Sequence, residues 1–321
     1  MPAVTPLPKG YEIDFISPLL PVALPVIRAL HPAGNSKQFD YLHFSVIASK
    51  LRRFPYYSAT NINGPQFRQL SRVDNWRDDP AATGWQWGKA LYSAHKSNFD
   101  KGHMTKREDP QWGLTDAVAA QAADDTFFYT NAVPQMAELN QKVAAWRGLE
   151  DYILHDEARL GKKPDATAAQ PGLLISVFTG PVLSPTDPVF VTTVMGQRVQ
   201  LPELFWKVVY YTNDGLELRR VGFLMGQRNA MQKAGVLGID SFARFKQLSL
   251  RENFFEDYKD AEPFQAGVSY IEELTGLTFA AAKETHPAKA PNPLRYEVQS
   301  KNKMLLTESM VPAIEFTNLV L

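Results

Sequence analysis

Cysteine is missing altogether from the 321 residues, which excludes disulfides, thiolate metal centres and a cysteine nucleophile. An excess of charge of either sign is missing too, since 34 Lys and Arg stand against 34 Asp and Glu. A chain that holds a polyanion by bulk charge is strongly basic, so any such partner must be met by a local basic cleft. Neutrality argues against tight, sequence-independent storage on DNA. No apolar run is long enough to span a bilayer. The most apolar early stretch, residues 15–30, is interrupted by Pro18, Pro21 and Pro25, which argues against a signal peptide or anchor. The expectation is a cytoplasmic protein, or one exported by a non-Sec route.

What is present is ample for a core: 45% of the residues are hydrophobic. No internal repeat or low-complexity block divides the chain. It reads as one domain with decorations: a proline-rich N-terminal arm over 1–37, a main domain over 38–280, and a C-terminal tail over 281–321. The arm is expected to pack on its own domain. Residues 41–47 and 54–61 read as strands joined through Lys50-Leu51-Arg52-Arg53, with His43 as a structural strand residue. Leu114–Ala123 is helix-like. Leu173–Thr179 predicts a buried strand with a turn at Gly180-Pro181. Asn213-Asp214-Gly215 predicts a hairpin between 205–212 and 216–225, in which Lys207 could face substrate, though a solvated strand residue is the commoner case. Residues 241–260 and 268–279 read as helices, the second closed by Gly276.

The chemistry gathers in residues 99–150. His103 follows Asp100-Lys101-Gly102. Neutral imidazole titrates nearest neutral pH, so His103 could take a proton from an attacking water. Gly102 would let the backbone turn sharply or a polyanion approach closely. Asn140 offers a carbonyl oxygen suited to Mg²⁺, an ion that otherwise keeps several waters. Glu150 could hold one of those waters, and Lys101 or Arg107 could bind a phosphate. Singly, each has a commoner explanation: a surface or core histidine, a helix N-cap asparagine, a solvated glutamate, and for Asn131 before Ala-Val-Pro a turn residue. Their order and spacing together point elsewhere.

Asp100-Lys101-Gly102-His103, Thr130-Asn131-Ala132-Val133-Pro134-Gln135, and Leu139-Asn140-Gln141 with Trp146-Arg147-Gly148-Leu149-Glu150 resemble the DNA/RNA non-specific endonuclease family, the ββα-metal nucleases that include endonuclease G. The resemblance runs from about residue 40 to about residue 280. It implies an α+β fold, with a central, mainly antiparallel sheet flanked by helices and a ββα-metal finger active site. It also implies His103 as general base, Asn131 as a supporting active-site asparagine, Asn140 as metal ligand, Glu150 as orienter of metal-held water, and Mg²⁺ as cofactor with Mn²⁺ as substitute. Hydrolysis of DNA or RNA leaving 5′-phosphate ends would follow.

Two departures stand out. Lys101 replaces the family's arginine, keeping the charge but not the planar fork. Asn140 and Glu150 lie ten residues apart, which on a regular helix puts them about 80° apart, so the helix starts late or is irregular. Asn75-Trp76-Arg77-Asp78-Asp79-Pro80 also resembles the family, but Asp74 stands where some members carry a phosphate-contacting arginine. That role passes to Arg72 or Arg77, or is absent. The rival reading is a catalytically inactive relative that binds nucleic acid or protein through the same cleft. A toxin or defence effector is a further alternative, and a second copy or an inhibitor protein stays open as a partner.

Overall fold

The computed structural model describes residues 9–141, 146–151, 153–154, 173–238, 264–285 and 310–312. The arm contributes β1 (Val26–Ile27), and β2 (Ser36–Tyr41), β3 (Phe44–Ser49) and β4 (Pro55–Asn63) follow as antiparallel neighbours. Then come α1 (Lys89–Tyr92), β5 (Asp100–His103), α2 (Asp116–Asp125), β6 (Ala132–Gln135), α3 (Ala137–Asn140) and α4 (Trp146–Asp151). The rest is β7 (Leu174–Pro181), β8 (Leu204–Tyr211), β9 (Arg219–Gly226), α5 (Arg228–Lys233), β10 (Phe264–Ala266), α6 (Val268–Thr275), β11 (Leu277–Thr278), β12 (Lys283–Glu284) and β13 (Met310–Pro312).

The main sheet runs β13-β10-β9-β8-β7-β4-β3-β2, with β12 also on β9. Every pairing in it is antiparallel except β12 with β9. This is the α+β architecture expected. All eight residues of β8 are buried, because both faces of the sheet are covered. Trp206, Val208 and Tyr210 join the larger core with Phe178, Ile271 and Phe279. Val209 and Tyr211 point the other way, into a second core with Leu149, Ile153 and Leu154 around α4. Alternation along a strand has period two, so Lys207 shares the face that α4 covers.

Several sequence expectations need correcting. Residues 41–47 form a tight hairpin, not one strand: the chain turns at Leu42-His43, where His43 takes φ +70°. Its ring lies on Trp112 with centroids 3.4 Å apart, and Nδ1 meets the Pro110 carbonyl at 2.9 Å. Gly180-Pro181 does not turn but continues β7. A Cβ on Gly180 would lie 2.3 Å from the Tyr56 carbonyl oxygen, so the close approach of β4 explains the glycine. Within residues 281–321, β12 pairs with β9 and β13 with β10. The arm does pack on its own domain: β1 pairs with β11, and the Tyr11 and Tyr57 hydroxyls bond to Val22 and Pro25 carbonyls. The hairpin between β8 and β9 forms, with β9 beginning at Arg219. The helix at 268–275 ends on Gly276 at φ +67°, as its sequence predicts. The helix expected over 241–260 lies outside the described residues. Among those residues, no helix is long and apolar enough to cross a membrane.

Candidate active site

β5 and β6 form their own two-stranded sheet, with Asp100 opposite Gln135 and His103 opposite Ala132. Gly102 sits within β5 and not at a turn. A Cβ there would lie 2.2 Å from the buried Gln135 side chain. Gln227, at the end of β9, ties this finger to the main body. Its amide donates to the Pro134 and Pro202 carbonyls at 3.1 and 2.8 Å and accepts from the Met136 N–H at 2.8 Å.

Past His103 the strand is locked by Asn131. The Asn131 Oδ1 accepts from the Thr105 N–H at 2.8 Å, and Nδ2 donates to the Thr105 and Thr126 carbonyls at 2.9 and 3.0 Å. The Met104 N–H adds a bond to the Asn131 carbonyl at 2.9 Å. With its side chain buried and all its amide atoms engaged, Asn131 does not line the cleft. Its amide is bonded to the backbone of Thr105 and Thr126.

His103 faces a cleft of about 640 Å³ lined also by Arg72, Lys101, Arg107, Asn140 and Glu150. The imidazole packs against Trp76 with centroids 4.5 Å apart and edge-on to Phe127 at 5.1 Å. Its Nε2 is buried and has no hydrogen-bond partner among the described residues. Burial, with Arg72 adding to it, pushes the His103 pKa down to about 3. The ring is therefore neutral across the ordinary pH range and has a lone pair to offer.

The opposite wall is built differently. Asn140 is the last residue of α3, and Trp146 opens α4. The two are separate short helices, so the regular-helix angle between Asn140 and Glu150 does not apply. Asp100 Oδ2 accepts from Asn140 Nδ2 at 3.0 Å and Gln141 Nε2 at 2.7 Å. A carboxylate can only accept, so the amide nitrogen of Asn140 must face Asp100 and Oδ1 is the atom left for a cation.

Glu150 is carried by α4 onto the sheet face that Lys207 occupies. Lys207 is fully buried, not solvated, and donates to Thr179 Oγ1, its cross-strand partner, at 2.8 Å. Its ammonium lies 3.6 Å from Glu150 Oε1, which is buried and has no hydrogen-bond partner among the described residues. Burial pushes the Glu150 pKa up to about 7 against the pull of Lys207 and Lys106. Burial also raises the pKa of Asp109, in the field of the same lysines.

The residues present fit a hard divalent cation. Among the described residues no three His, Asp or Glu side chains could hold a metal ion by themselves. One amide oxygen and one buried carboxylate oxygen in a roomy polar cleft suit an ion that keeps most of its waters.

Of the proposed phosphate ligands, Lys101, Arg72 and Arg107 line the cleft and Arg77 does not. The Arg77 guanidinium is spent on Asp124, 2.7 Å away, and lies over the Phe128 ring at 4.0 Å. Sequence reasoning missed Asp74, Trp76 and Asp100 as cleft residues, and Lys207 and Gln227 as supports. Asp100 and Trp76 stood inside the quoted motifs, which was a signal; Lys207 in an apolar strand was another.

A family model for the DNA/RNA non-specific endonuclease matches residues 27–286. An uncharacterised protein of Sinorhizobium fredii, y4fB, is 31% identical over 287 residues, which are 85% of this chain and 39% of that protein. Mitochondrial endonuclease G of Homo sapiens and of Bos taurus is 39% identical over 56 residues, 17% of this chain and 16% of theirs. The chain thus spans well under two thirds of these curated relatives. A chain in the crystal structure of the EndoG/EndoGI complex shares the fold, with TM-score 0.50 and 17% identity over 77% of this chain and 86% of that one. With the family model covering most of its length, the chain belongs to the DNA/RNA non-specific endonuclease family.

Proposed function

We propose that the protein hydrolyses phosphodiester bonds of DNA or RNA without sequence preference, using one Mg²⁺ ion that Mn²⁺ can replace. The observation that carries this reading is the buried, unpartnered Nε2 of His103, which shares one cleft with Asn140 and Glu150. A neutral imidazole with no partner is ready to accept a proton, so His103 takes one from the water that attacks phosphorus. Trp76 and Phe127 hold the ring in place and keep bulk water from its faces. Lys101 and Arg107 hold the substrate phosphate. Asn140 Oδ1 would ligate the ion, and Glu150 Oε1 would accept a hydrogen bond from a water of its shell. When bound, the ion supplies positive charge to the phosphate and to the leaving oxygen. Contacts of this kind go to the phosphate backbone, so base selectivity is weak.

Plasmid nicking tests the proposal. Wild type should nick with Mg²⁺ and stop with EDTA, and His103→Ala should lose activity by roughly 10²–10⁴-fold. Equal turnover by wild type and His103→Ala would remove His103 from the base role and with it this mechanism.

A further inference from the structure

The cleft is lined by five cations, Arg72, Lys101, Lys106, Arg107 and Arg147. Four of them already meet carboxylates. Lys106 pairs with Asp151 and with Glu108 at 3.1 Å, Arg107 with Glu108 at 3.4 Å, Arg147 with Asp151 at 3.6 Å, and Arg72 with Asp74 at 2.6 Å. Of these five, Lys101 alone makes no ion pair among the described residues.

These pairs are not alike. The Lys106 and Arg107 side chains are 13% and 8% exposed, so their pairs are built into the wall. Arg72 and Asp74 are 59% and 54% exposed. An exposed pair between long side chains is weakly held and readily exchanged for another anion. Asp74 lies two residues from Trp76, whose ring packs on His103, and all three line the cleft. Its carboxyl is held low, chiefly by the hydrogen bond from Arg72 and also by the charge of Lys101. An anion among an arginine, a lysine and the base occupies the kind of place a substrate phosphate would need.

We propose that Asp74 is an internal competitor for phosphate: its carboxylate occupies the Arg72 guanidinium in the free protein, and an incoming phosphodiester must displace it. This rests on the hydrolase reading of the cleft and deepens it by naming the residue that sets phosphate affinity there. Asp74 weakens substrate capture, lowers the salt dependence of binding and hastens product release. Local neutrality of the cleft then matches the neutrality of the whole chain.

Binding of fluorescein-labelled single- and double-stranded DNA oligonucleotides, followed by anisotropy without divalent metal on a His103→Ala background, tests this apart from cleavage. Adding Asp74→Asn should tighten Kd by roughly three- to tenfold. The slope of log K against log salt should steepen by about 0.7–0.9, the value of one further phosphate contact. Arg72→Ala should weaken binding less when Asp74 is present than in the Asp74→Asn background. Unchanged affinity and slope in Asp74→Asn, with melting temperatures equal, would overturn the proposal. Wild-type nicking together with that result removes this inference alone. Tightening in a protein that never nicks supports it and removes the hydrolase reading, and no binding by any variant overturns both.

Discussion

The two walls of the cleft are held by different forces. The His103 wall rests on backbone: a ladder pairing His103 with Ala132, and the Asn131 amide bonded on both sides of Thr105. The Asn140–Glu150 wall comes from two short helices and is positioned by side-chain charge, through Asp100 to Asn140 and Lys207 to Glu150. Neutral hydrogen bonds among buried backbone groups do not respond to salt or pH. Charge contacts do. His103 is therefore rigidly set, whereas Asn140 and Glu150 are tunable, and substitutions on the two sides should fail in different ways.

The largest effect is expected from Asn131→Leu. It removes three buried hydrogen bonds and strands the N–H and carbonyl of Thr105. Each buried group left unpaired costs about 1–3 kcal/mol, so a loss of roughly 3–5 kcal/mol in a denaturant melt is expected. The loss should be the same at pH 6 and pH 8, because no charge is involved. A stability loss that changes with pH would show that the His103 wall is not held by neutral bonds alone.

Lys207→Met comes next and reverses that signature. Met keeps the packing of the stem but removes the ammonium 3.6 Å from Glu150. Burial already lifts Glu150 from 4.5 to about 7, and Lys207 is the foremost group pulling it back. A carboxyl whose folded pKa exceeds its unfolded value binds its proton more tightly when folded. Stability then falls as pH rises from about 4.5 towards the folded value, and levels beyond it. In Lys207→Met that falling window should extend above 7. The variant should resemble wild type near pH 5, where Glu150 is protonated in both, and lose most against it around pH 8. Activity at pH 7 should drop roughly tenfold or more, since a protonated Glu150 has lost its charge. Parallel stability profiles for the two proteins would mean that Lys207 does not act through Glu150.

How much of this was legible in the sequence divides along the same line. The buried strands, the β8–β9 hairpin and the glycine-closed α6 were readable because period and turn chemistry are local. His103, Asn140 and Glu150 were readable because motif order brought them together, and the cleft does contain all three. What escaped depends on partners distant in the chain. Gly102 reads as a flexible residue until Gln135 is seen filling its space. Lys207 reads as solvated because nothing nearby in sequence reveals that α4 covers its face of β8. Asn131 looks like a cleft residue until its amide is found spent on Thr105 and Thr126. Even the turn at Leu42-His43 was hidden, since a histidine with positive φ interrupts no apolar pattern.

The smallest effect, and the sharpest check on where the basic wall ends, is expected from Arg77→Ala. Arg77 stood beside Arg72 and Arg107 as a phosphate ligand, but its guanidinium is engaged by Asp124 and by the carbonyls of Asn75 and Asp124, over the Phe128 ring. A partly exposed ion pair and one cation–π contact contribute about 0.5–2 kcal/mol together. Stability should fall by about that much, while kcat/KM on DNA stays within about twofold of wild type. Arg107→Ala, in contrast, should lower kcat/KM by roughly ten- to a hundredfold, because Arg107 lines the cleft and a charged contact to phosphate is worth about 1.5–3 kcal/mol. If Arg77→Ala lost as much activity as Arg107→Ala, the nucleic acid would have to pass over Asp124 and Phe128. The substrate path would then run along the outside of α2, and the cleft would be only its beginning.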